Sequence, residues 1–209
     1  QADASSSTPM PDLFPVVAVS GPQRHRTRAS LSIANYEGAY AMVDHFANLG
    51  HHRIAIIRGA EGNVDAAERL RGYRAAVRTL GLSTDAALEL PGDFSEASGH
   101  AAATRILGQD IRPTAVFAAN DGMAMGALSA FRDAGVRIPD DIAIGGFDDI
   151  PVARYVDPPL TTVSVDIRAL GSRAAELVLA AVRDPDGAPS HQTLPTTLVV
   201  RRSSGTRRS

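Results

Sequence analysis

The apolar residues of this chain follow two alternating patterns, short continuous runs and longer stretches with a helical period. Short apolar runs bounded by polar or glycine-containing segments are typical of buried strands, and apolar residues that recur every three or four positions predict helices with one buried face. These patterns predict strands at 15–19, 31–33, 54–57, 86–90, 114–118, 142–144 and 196–200. They predict helices at 37–49, 66–80, 95–107, 122–134 and 167–183.

Residues at the ends of the predicted helices support these boundaries. Gly50, Gly81 and Gly135 follow the last apolar residues of three helices, where glycine readily takes the left-handed conformation that ends a helix. Ser95 is suited to be an N-cap, and Asp121 is suited to start the helix that follows it. The regular alternation of strands and helices predicts an α/β fold, with parallel sheets flanked by helices on both faces.

Composition narrows the possible functions. The chain has 209 residues, 44% of them hydrophobic, which is enough for one domain or two small lobes with a core. Its net charge of −2 provides no basic surface for nucleic acid, and the absence of cysteine excludes disulfides, thiolate nucleophiles and cysteine zinc sites. No apolar run has the length of a membrane span, and the polar N-terminus does not resemble a signal peptide. A cytoplasmic location is therefore expected.

Polar side chains gather where two predicted strands end. Asn120 and Asp121 follow the strand at 114–118, and Asp148 and Asp149 follow the next strand and a Gly-Gly pair. Ligands bind at the carboxyl edge of open α/β sheets, and these side chains suit a neutral polyol better than a phosphate or a metal. A helix N-cap is the alternative role for Asp121, whereas Asn120 offers a ligand both donors and an acceptor.

The adjacent acids Asp148 and Asp149 could also serve acid/base chemistry or bind a metal. No histidine or third acid lies nearby at ligand spacing, which disfavours a metal. Adjacent residues of an extended segment point to opposite sides. One acid can therefore face a ligand while the other caps the next turn, and Asp148 is favoured as the ligand contact.

Arg69 and Phe94 are two further candidates. The planar fork of Arg69 can bind two vicinal hydroxyls, whereas Arg71 is expected to be solvated. Phe94 could stack on the apolar face of a sugar or simply pack in the core.

The loop 59–62 lacks the dinucleotide-binding glycine pattern, and no serine lies in a nucleophile elbow, which disfavours a nicotinamide enzyme and a hydrolase. The six histidines show no zinc spacing, and the pair at 51–52 is expected to form an exposed turn.

Six stretches of the chain, in order and at matching spacing, resemble the LacI/GalR family of transcriptional regulators. They are 49–55 (LGHHRIA), 69–74 (RLRGYR), 120–127 (NDGMAMGA), 135–142 (GVRIPDDI), 146–149 (GFDD) and 159–163 (PLTTV). The resemblance covers about 14–204. It implies a two-lobe fold like that of periplasmic sugar-binding proteins, in which the lobes are linked by three crossovers and close on a small ligand.

The resemblance also implies a domain layout and a set of ligand-binding residues. The layout is a disordered N-terminus (1–13), a partial N-terminal lobe (14–49 and 164–190), a C-terminal lobe (50–163 and 191–204) and a tail (205–209). Sugar contacts would come from Arg69, Asn120 and Asp148, with Phe94 lining the site and Asn35 contributing from the other lobe. Two residues depart from the family pattern. Val165 stands where many members have Gln, so one polar contact from the N-terminal lobe is expected to be lost, and 34–35 is Ala-Asn instead of Asp-Asn, which leaves the sugar open.

The implied function is sugar sensing by a transcriptional regulator, without catalysis, metal or cofactor. Relative to the family, the chain starts late, so the N-terminal lobe is expected to be incomplete and the DNA-binding headpiece absent. In the intact protein, ligand-driven closure would control operator binding through that headpiece, in a homodimer and without a membrane. The main alternative is a periplasmic sugar-binding receptor of a transport system. A second alternative is an α/β enzyme that uses Asp148 and Asp149.

Overall fold

The computed structural model describes residues 16–21, 29–184 and 188–206. The predicted disordered N-terminus (1–13) and the last residues of the tail, 207–209, lie outside this part of the chain. The chain divides into two compact units. The smaller comprises residues up to 32 together with 167–193, and the larger comprises 33–166 together with the residues from 194 onward.

All five predicted helices are present, with slightly shifted ends. They are α1 (Asn35–Asn48), α2 (Val64–Thr79), α3 (Glu96–Leu107), α4 (Asp121–Asp133) and α5 (Ile167–Arg183). The strands are β1 (Val17–Val19), β2 (Ala29–Ile33), β3 (Ile54–Ile57), β4 (Glu89–Leu90), β5 (Ala115–Ala118), β6 (Ala143–Asp148), β7 (Thr161–Ser164), β8 (Ser190–Leu194) and β9 (Thr197–Val199). Short 3-10 turns cover Ala86–Leu88, Pro151–Arg154 and Arg202–Ser204.

Three details of the strands differ from the sequence prediction. The first residues of the predicted strand 86–90 form a 3-10 turn, because the Asp85 side chain accepts a hydrogen bond from the amide of Ala87 at 2.9 Å. β7 and β8 were not predicted, since their sequences, TTVS and SHQTL, are rich in polar residues. Such strands are recognised only when a partner strand pairs with them.

The prediction of an exposed turn at His51-His52 is wrong for His51. This residue is 2% exposed, and its Nδ1 lies 2.9 Å from Thr114 Oγ1. Its ring also meets the ring of Phe46 edge-on, with the two centroids 5.8 Å apart. His51 therefore helps to close the amino end of the larger sheet, and only His52 is exposed.

The larger unit contains a six-stranded sheet in the order β4-β3-β5-β6-β7-β9. Its neighbouring strands are parallel except for β9, which runs antiparallel to β7. From β3 the chain first adds β4 on one side and then β5 on the other. This reversal of strand order creates a crevice at the carboxyl ends of β3 and β5, which is the usual ligand position in such sheets.

Helix α1 belongs to the larger unit, although the sequence placed 14–49 in the N-terminal lobe. It packs against α2, where any side chain larger than glycine at Gly72 would overlap the carbonyl oxygen of Tyr36. A Cβ at Gly38 would lie 2.8 Å from Val163 Cγ1 and 2.9 Å from the ring of Phe147. These close contacts pack α1 against α2 and the larger sheet, and this packing would be lost if the helix moved away.

The segment after β9 completes the larger unit. Ser203 Oγ donates to the carbonyl oxygen of Ile144 at 2.6 Å and accepts from the amide of Thr161 at 2.8 Å. Ser203 and Ser204 are both fully buried. Residues 203 and 204 are therefore part of the core of this unit.

The smaller unit contains a three-stranded sheet in the order β1-β2-β8 and helix α5. β1 and β2 are parallel. Helix α5 buries Leu177, whereas its large apolar side chains at 167, 179 and 182 are 64%, 55% and 56% exposed. This unit therefore buries much less apolar surface than the larger one.

Amide hydrogen exchange should be much faster in β1 than in β5. Among the described residues β1 lies at the edge of its sheet, with Val19 41% exposed, whereas β5 is central and all four of its side chains are buried. The amides of Val116 and Phe117 should exchange only through global unfolding. The protection factors of Val17 and Val19 should be at least about two orders of magnitude lower than theirs. Equal protection in the two strands of a monomer would show that β1 is as firmly held as the central strand.

The contact between α3 and α4 depends on glycine. A Cβ at Gly126 would overlap the carbonyl oxygen of Glu96, and a Cβ at Gly99 would overlap that of Met123. Gly126→Ala should therefore lower the free energy of unfolding by about 1–3 kcal/mol, measured by urea denaturation.

The matched control is Gly171→Ala on the exposed face of α5, where a Cβ would meet nothing within 4 Å. That substitution should be neutral or stabilise by about 0.5–1 kcal/mol, because alanine favours helix. A loss at Gly126 no larger than at Gly171 would mean that the two helices separate easily.

Candidate functional site

Arg69 lies at the centre of the candidate site. It is in the first half of α2, whose N-cap is the Asn63 side chain, and it is only 5% exposed. Its Nε donates to Asn35 Oδ1 at 2.8 Å, and its Nη2 lies 3.2 Å from Asp148 Oδ1. A further N–H donates to the carbonyl oxygen of Ala119. The guanidinium carbon lies 3.8 Å from the centroid of the Phe147 ring. Polar contacts therefore hold the N–H groups of the guanidinium, and an aromatic ring packs against one of its faces.

Burial and the ion pair shift the pKa values of Arg69 and Asp148 in opposite directions. Burial lowers the pKa of Arg69, while Asp148 and then Asp65 raise it. Burial likewise raises the pKa of Asp148, and the nearby Arg69 opposes this shift. Arg69 therefore favours the ionised form of Asp148, and Asp148 favours the charged form of Arg69, as expected for a partly desolvated ion pair.

Asp65 was not predicted from the sequence as a site residue. Its Oδ1 accepts a hydrogen bond from Asn35 Nδ2 at 2.8 Å, and Asn35 in turn accepts from Arg69. Asp65, Asn35, Arg69 and Asp148 therefore form one hydrogen-bonded chain. The spacing contains a signal that could have identified Asp65, because residues four apart lie on the same face of a helix. The start of α1 places Asn35 in the larger unit, and not in the other lobe, as the resemblance implied.

Phe94 and Asn120 lie beside this chain. Phe94 has a positive φ of 74°, and its ring packs where a Cβ at Gly59 would otherwise be. The guanidinium carbon of Arg69 lies 6.0 Å from the centroid of that ring. Asn120 Nδ2 donates to the carbonyl oxygen of Phe94 at 3.0 Å, and its Oδ1 accepts from the amide of Met123 at 2.9 Å.

Asn120 is therefore the N-cap of α4, the role that the sequence analysis had left open as an alternative for Asp121. Asp121 is the first helical residue and is fully buried. Its Oδ1 accepts from Thr162 Oγ1 at 2.6 Å, and its Oδ2 accepts from the amide of Ile150 at 2.9 Å. Burial raises the pKa of Asp121 to about 6, although both hydrogen bonds act to lower it.

The two acids after β6 have different partners. Both have a positive φ, 109° for Asp148 and 54° for Asp149. Asp148 pairs with Arg69, and Asp149 pairs with Arg201 at 2.7 Å. The two acids therefore have separate partners, but Asp149 does not cap the following turn, and the role of Asp148 as a ligand contact stays a prediction. The Ile150 amide at the start of that turn is bonded by Asp121 instead.

The structure brings all five predicted site residues into one connected set in the larger unit. They are Asn35, Arg69, Phe94, Asn120 and Asp148. Arg71 is outside the set, as predicted: its side chain is 62% exposed and pairs with Glu68. The part of the chain described by the structure contains no group of three or more acids or histidines placed to hold a metal ion. Its helices include none that is both long and apolar enough to cross a membrane.

A mostly parallel sheet with polar and aromatic side chains converging at the carboxyl ends of its strands defines a small-molecule-binding α/β protein. Residues 43–204 match the model of the periplasmic binding protein-like domain. The chain belongs to that family, in the form found in transcriptional regulators of the LacI/GalR type. The predicted α/β fold and the family resemblance are thus confirmed.

Three similar proteins illustrate this relationship. The chain is 36% identical over 167 residues to the HTH-type transcriptional repressor PurR of Photobacterium profundum, covering 80% of this chain and 50% of the repressor. It is 34% identical to the transcriptional regulator CelR in complex with cellobiose, with a TM-score of 0.84, covering 90% of this chain and 58% of that one. A LacI family regulator from Enterococcus faecium with bound ribose is 26% identical, with a TM-score of 0.85, covering 93% and 72%. The chain spans about half the length of the curated relatives it matches.

Proposed function

We propose that this chain is the effector-sensing domain of a LacI/GalR-type transcriptional regulator and that its larger unit binds a neutral, polyhydroxylated effector. A mono- or disaccharide, a related polyol and a nucleoside fit this description. The observation that carries the proposal is the fixed guanidinium of Arg69, which is bonded to Asn35 and Asp148 and whose carbon lies 3.8 Å and 6.0 Å from the centroids of two aromatic rings. A planar donor beside a carboxylate and an aromatic face matches the hydroxyls and the apolar face of a sugar.

The charge balance favours a neutral effector over an anionic one. Arg69 is the central cation of the site, and both Asp148 and Asp65 act on its charge. Two carboxylates against one guanidinium leave no excess positive charge for a phosphate. The side chain of Asp148 is 32% exposed, so it can still accept a hydrogen bond from a ligand hydroxyl.

In the intact regulator, effector binding would close the two lobes and so change operator binding by an N-terminal headpiece, within a homodimer. Two similar regulators were solved with cellobiose and with ribose, which supports a sugar as the effector. The relatives are transcriptional regulators, and this favours a sensor over a transport receptor or an enzyme.

Titration calorimetry with cellobiose, ribose, glucose and glucose 6-phosphate tests the proposed ligand class. At least one neutral sugar should bind, and glucose 6-phosphate should bind at least about tenfold more weakly than glucose, because the like charges of Asp65 and Asp148 oppose its phosphate. Inorganic phosphate at matched ionic strength is the control for weak anion binding. Tighter binding of the phosphate ester, or binding of no neutral sugar, would contradict the proposal.

A further inference from the structure

Asp121 connects three parts of the larger unit beneath the turn that carries Asp148. Its carboxylate accepts hydrogen bonds from Thr162 of β7 and from the amide of Ile150 after the turn. A Cβ at Gly146 of β6 would overlap Asp121 Oδ1, so the carboxylate lies directly against that strand. Full burial leaves the group no alternative partner in solvent.

The turn itself is strained and depends on side-chain bonds. Two consecutive non-glycine residues, Asp148 and Asp149, have positive φ values of 109° and 54°, which is unfavourable for residues with a Cβ. Three side chains hold the turn: Arg69 bonds Asp148, Arg201 bonds Asp149, and Asp121 bonds the amide of Ile150. Two of these are arginines, which stay charged at all physiological pH values. Asp121 is the one that a proton can neutralise.

We propose that Asp121 is a positioning residue for Asp148 and that it holds the turn fully only while it is ionised. A hydrogen bond from an amide to a carboxylate is about twice as strong as one to a neutral acceptor. A protonated Asp121 must also donate its own hydrogen, and its present partner, the Thr162 hydroxyl, would have to reverse its bond to accept it. Protonation therefore weakens the hold on Ile150 and loosens the strained turn. The inference bears on effector binding only through the proposed role of Asp148.

The surroundings of Asp121 move its pKa upward, toward neutral pH. Burial is the largest influence and raises its pKa to about 6, the bonds from Thr162 and Ile150 lower it, and Asp148 and Asp149 raise it further. Arg69 of α2 is the cation that Asp121 influences, and Arg201 is paired with Asp149. Helix α3, which packs along α4, carries its charged residues Glu96, His100 and Arg105 on an exposed face.

Protonation has opposite consequences for the whole unit and for the turn. The folded-state pKa is raised above the ordinary value of 3.8, so the contribution of Asp121 to stability is fully present below the unfolded pKa and is lost as pH rises through about 6. Acidification through this range therefore stabilises the larger unit as a whole, because it removes a buried charge. The turn, in contrast, loses a charge-assisted bond. If Asp121 only stabilised the fold, acidification would not stabilise the larger unit and loosen the turn at the same time.

The test is an NMR titration of the whole ligand-free chain from about pH 5 to about pH 8, with Asp121→Asn as the main variant. In the wild type, the Asp121 carboxyl carbon and the amides of Asp148 and Ile150 should share one midpoint near the value given above. Protection of the Ile150 amide, corrected for intrinsic exchange, should fall several-fold on acidification. Asp121→Asn should show the acid-form shifts at all pH values, whereas Asp133→Asn, at the exposed end of α4, should keep the transition.

Three results would overturn the inference. One is an Asp121 carboxyl that stays ionised down to about pH 4, a measurement that needs only the wild-type chain. The second is a turn whose amides do not follow that titration, or follow it equally in Asp121→Asn. The third is Ile150 protection that rises on acidification. None of these results depends on a sugar, so failure here is distinguishable from failure of the proposed sensor function.

Discussion

Arg69→Met should lower the free energy of unfolding by about 3–5 kcal/mol. The substitution leaves the buried oxygen of Asn35, the carbonyl of Ala119 and the carboxylate of Asp148 without the cation that now bonds them. Removing one partner of a buried ion pair is costly because the other charge stays desolvated. Urea denaturation followed by circular dichroism measures the loss.

Arg71→Met, two residues further along α2, is the matched control. The Arg71 side chain is 62% exposed and pairs with Glu68 of the same helix, so its loss should change stability by less than about 1 kcal/mol. Similar losses in the two variants would mean that the Arg69 bonds contribute little and that only the helix itself responds to the substitution.

Asp148→Ala should weaken the binding of a neutral sugar by 2–4 kcal/mol, or about 30- to 1000-fold. The variant removes the acceptor that remains 32% exposed to a ligand, and it also frees Arg69 Nη2 from its present partner. Calorimetry with the tightest-binding sugar of the panel measures the change, and thermal unfolding shows whether the fold is intact.

Glu61→Gln is the control for this binding experiment. Glu61 is an exposed acid in the loop before α2, and its neutralisation should alter sugar affinity less than about twofold. Unchanged affinity in Asp148→Ala, with the melting temperature preserved, would remove Asp148 from the binding site.

Much of the candidate site followed from simple sequence rules. Arg69, Asn120 and Asp148 stand near the carboxyl ends of buried apolar runs, and the carboxyl ends of parallel strands meet at one edge of a sheet. Their positions relative to the predicted strands were therefore enough to predict that these three residues lie close together. The five helices were predicted for a similar reason, since the helical period and the capping residues are both local signals.

The errors arose where a partner lies far along the chain. Asp121 bonds Thr162, 41 residues away, so its burial could not be read from the helix start. His51 and His52 are identical neighbours, and only the contact with Thr114, 63 residues away, distinguishes them. Asn120 rather than Asp121 is the N-cap because Asn120 has an extended backbone conformation and Asp121 is already helical. The polar strand β8 forms because it pairs with β2. None of these pairings leaves a local pattern.

The interrupted path of the chain through the larger unit affects its biosynthesis. Of the larger unit, residues 33–166 leave the ribosome first, whereas β9 and the buried serines 203 and 204 follow only after the smaller unit's segment 167–193. Until those residues have been made, β7 has an open edge and the Ile144 carbonyl and Thr161 amide lack Ser203. A nascent chain at this stage presents an unpaired strand to its neighbours on the polysome, which is the state that chaperones protect.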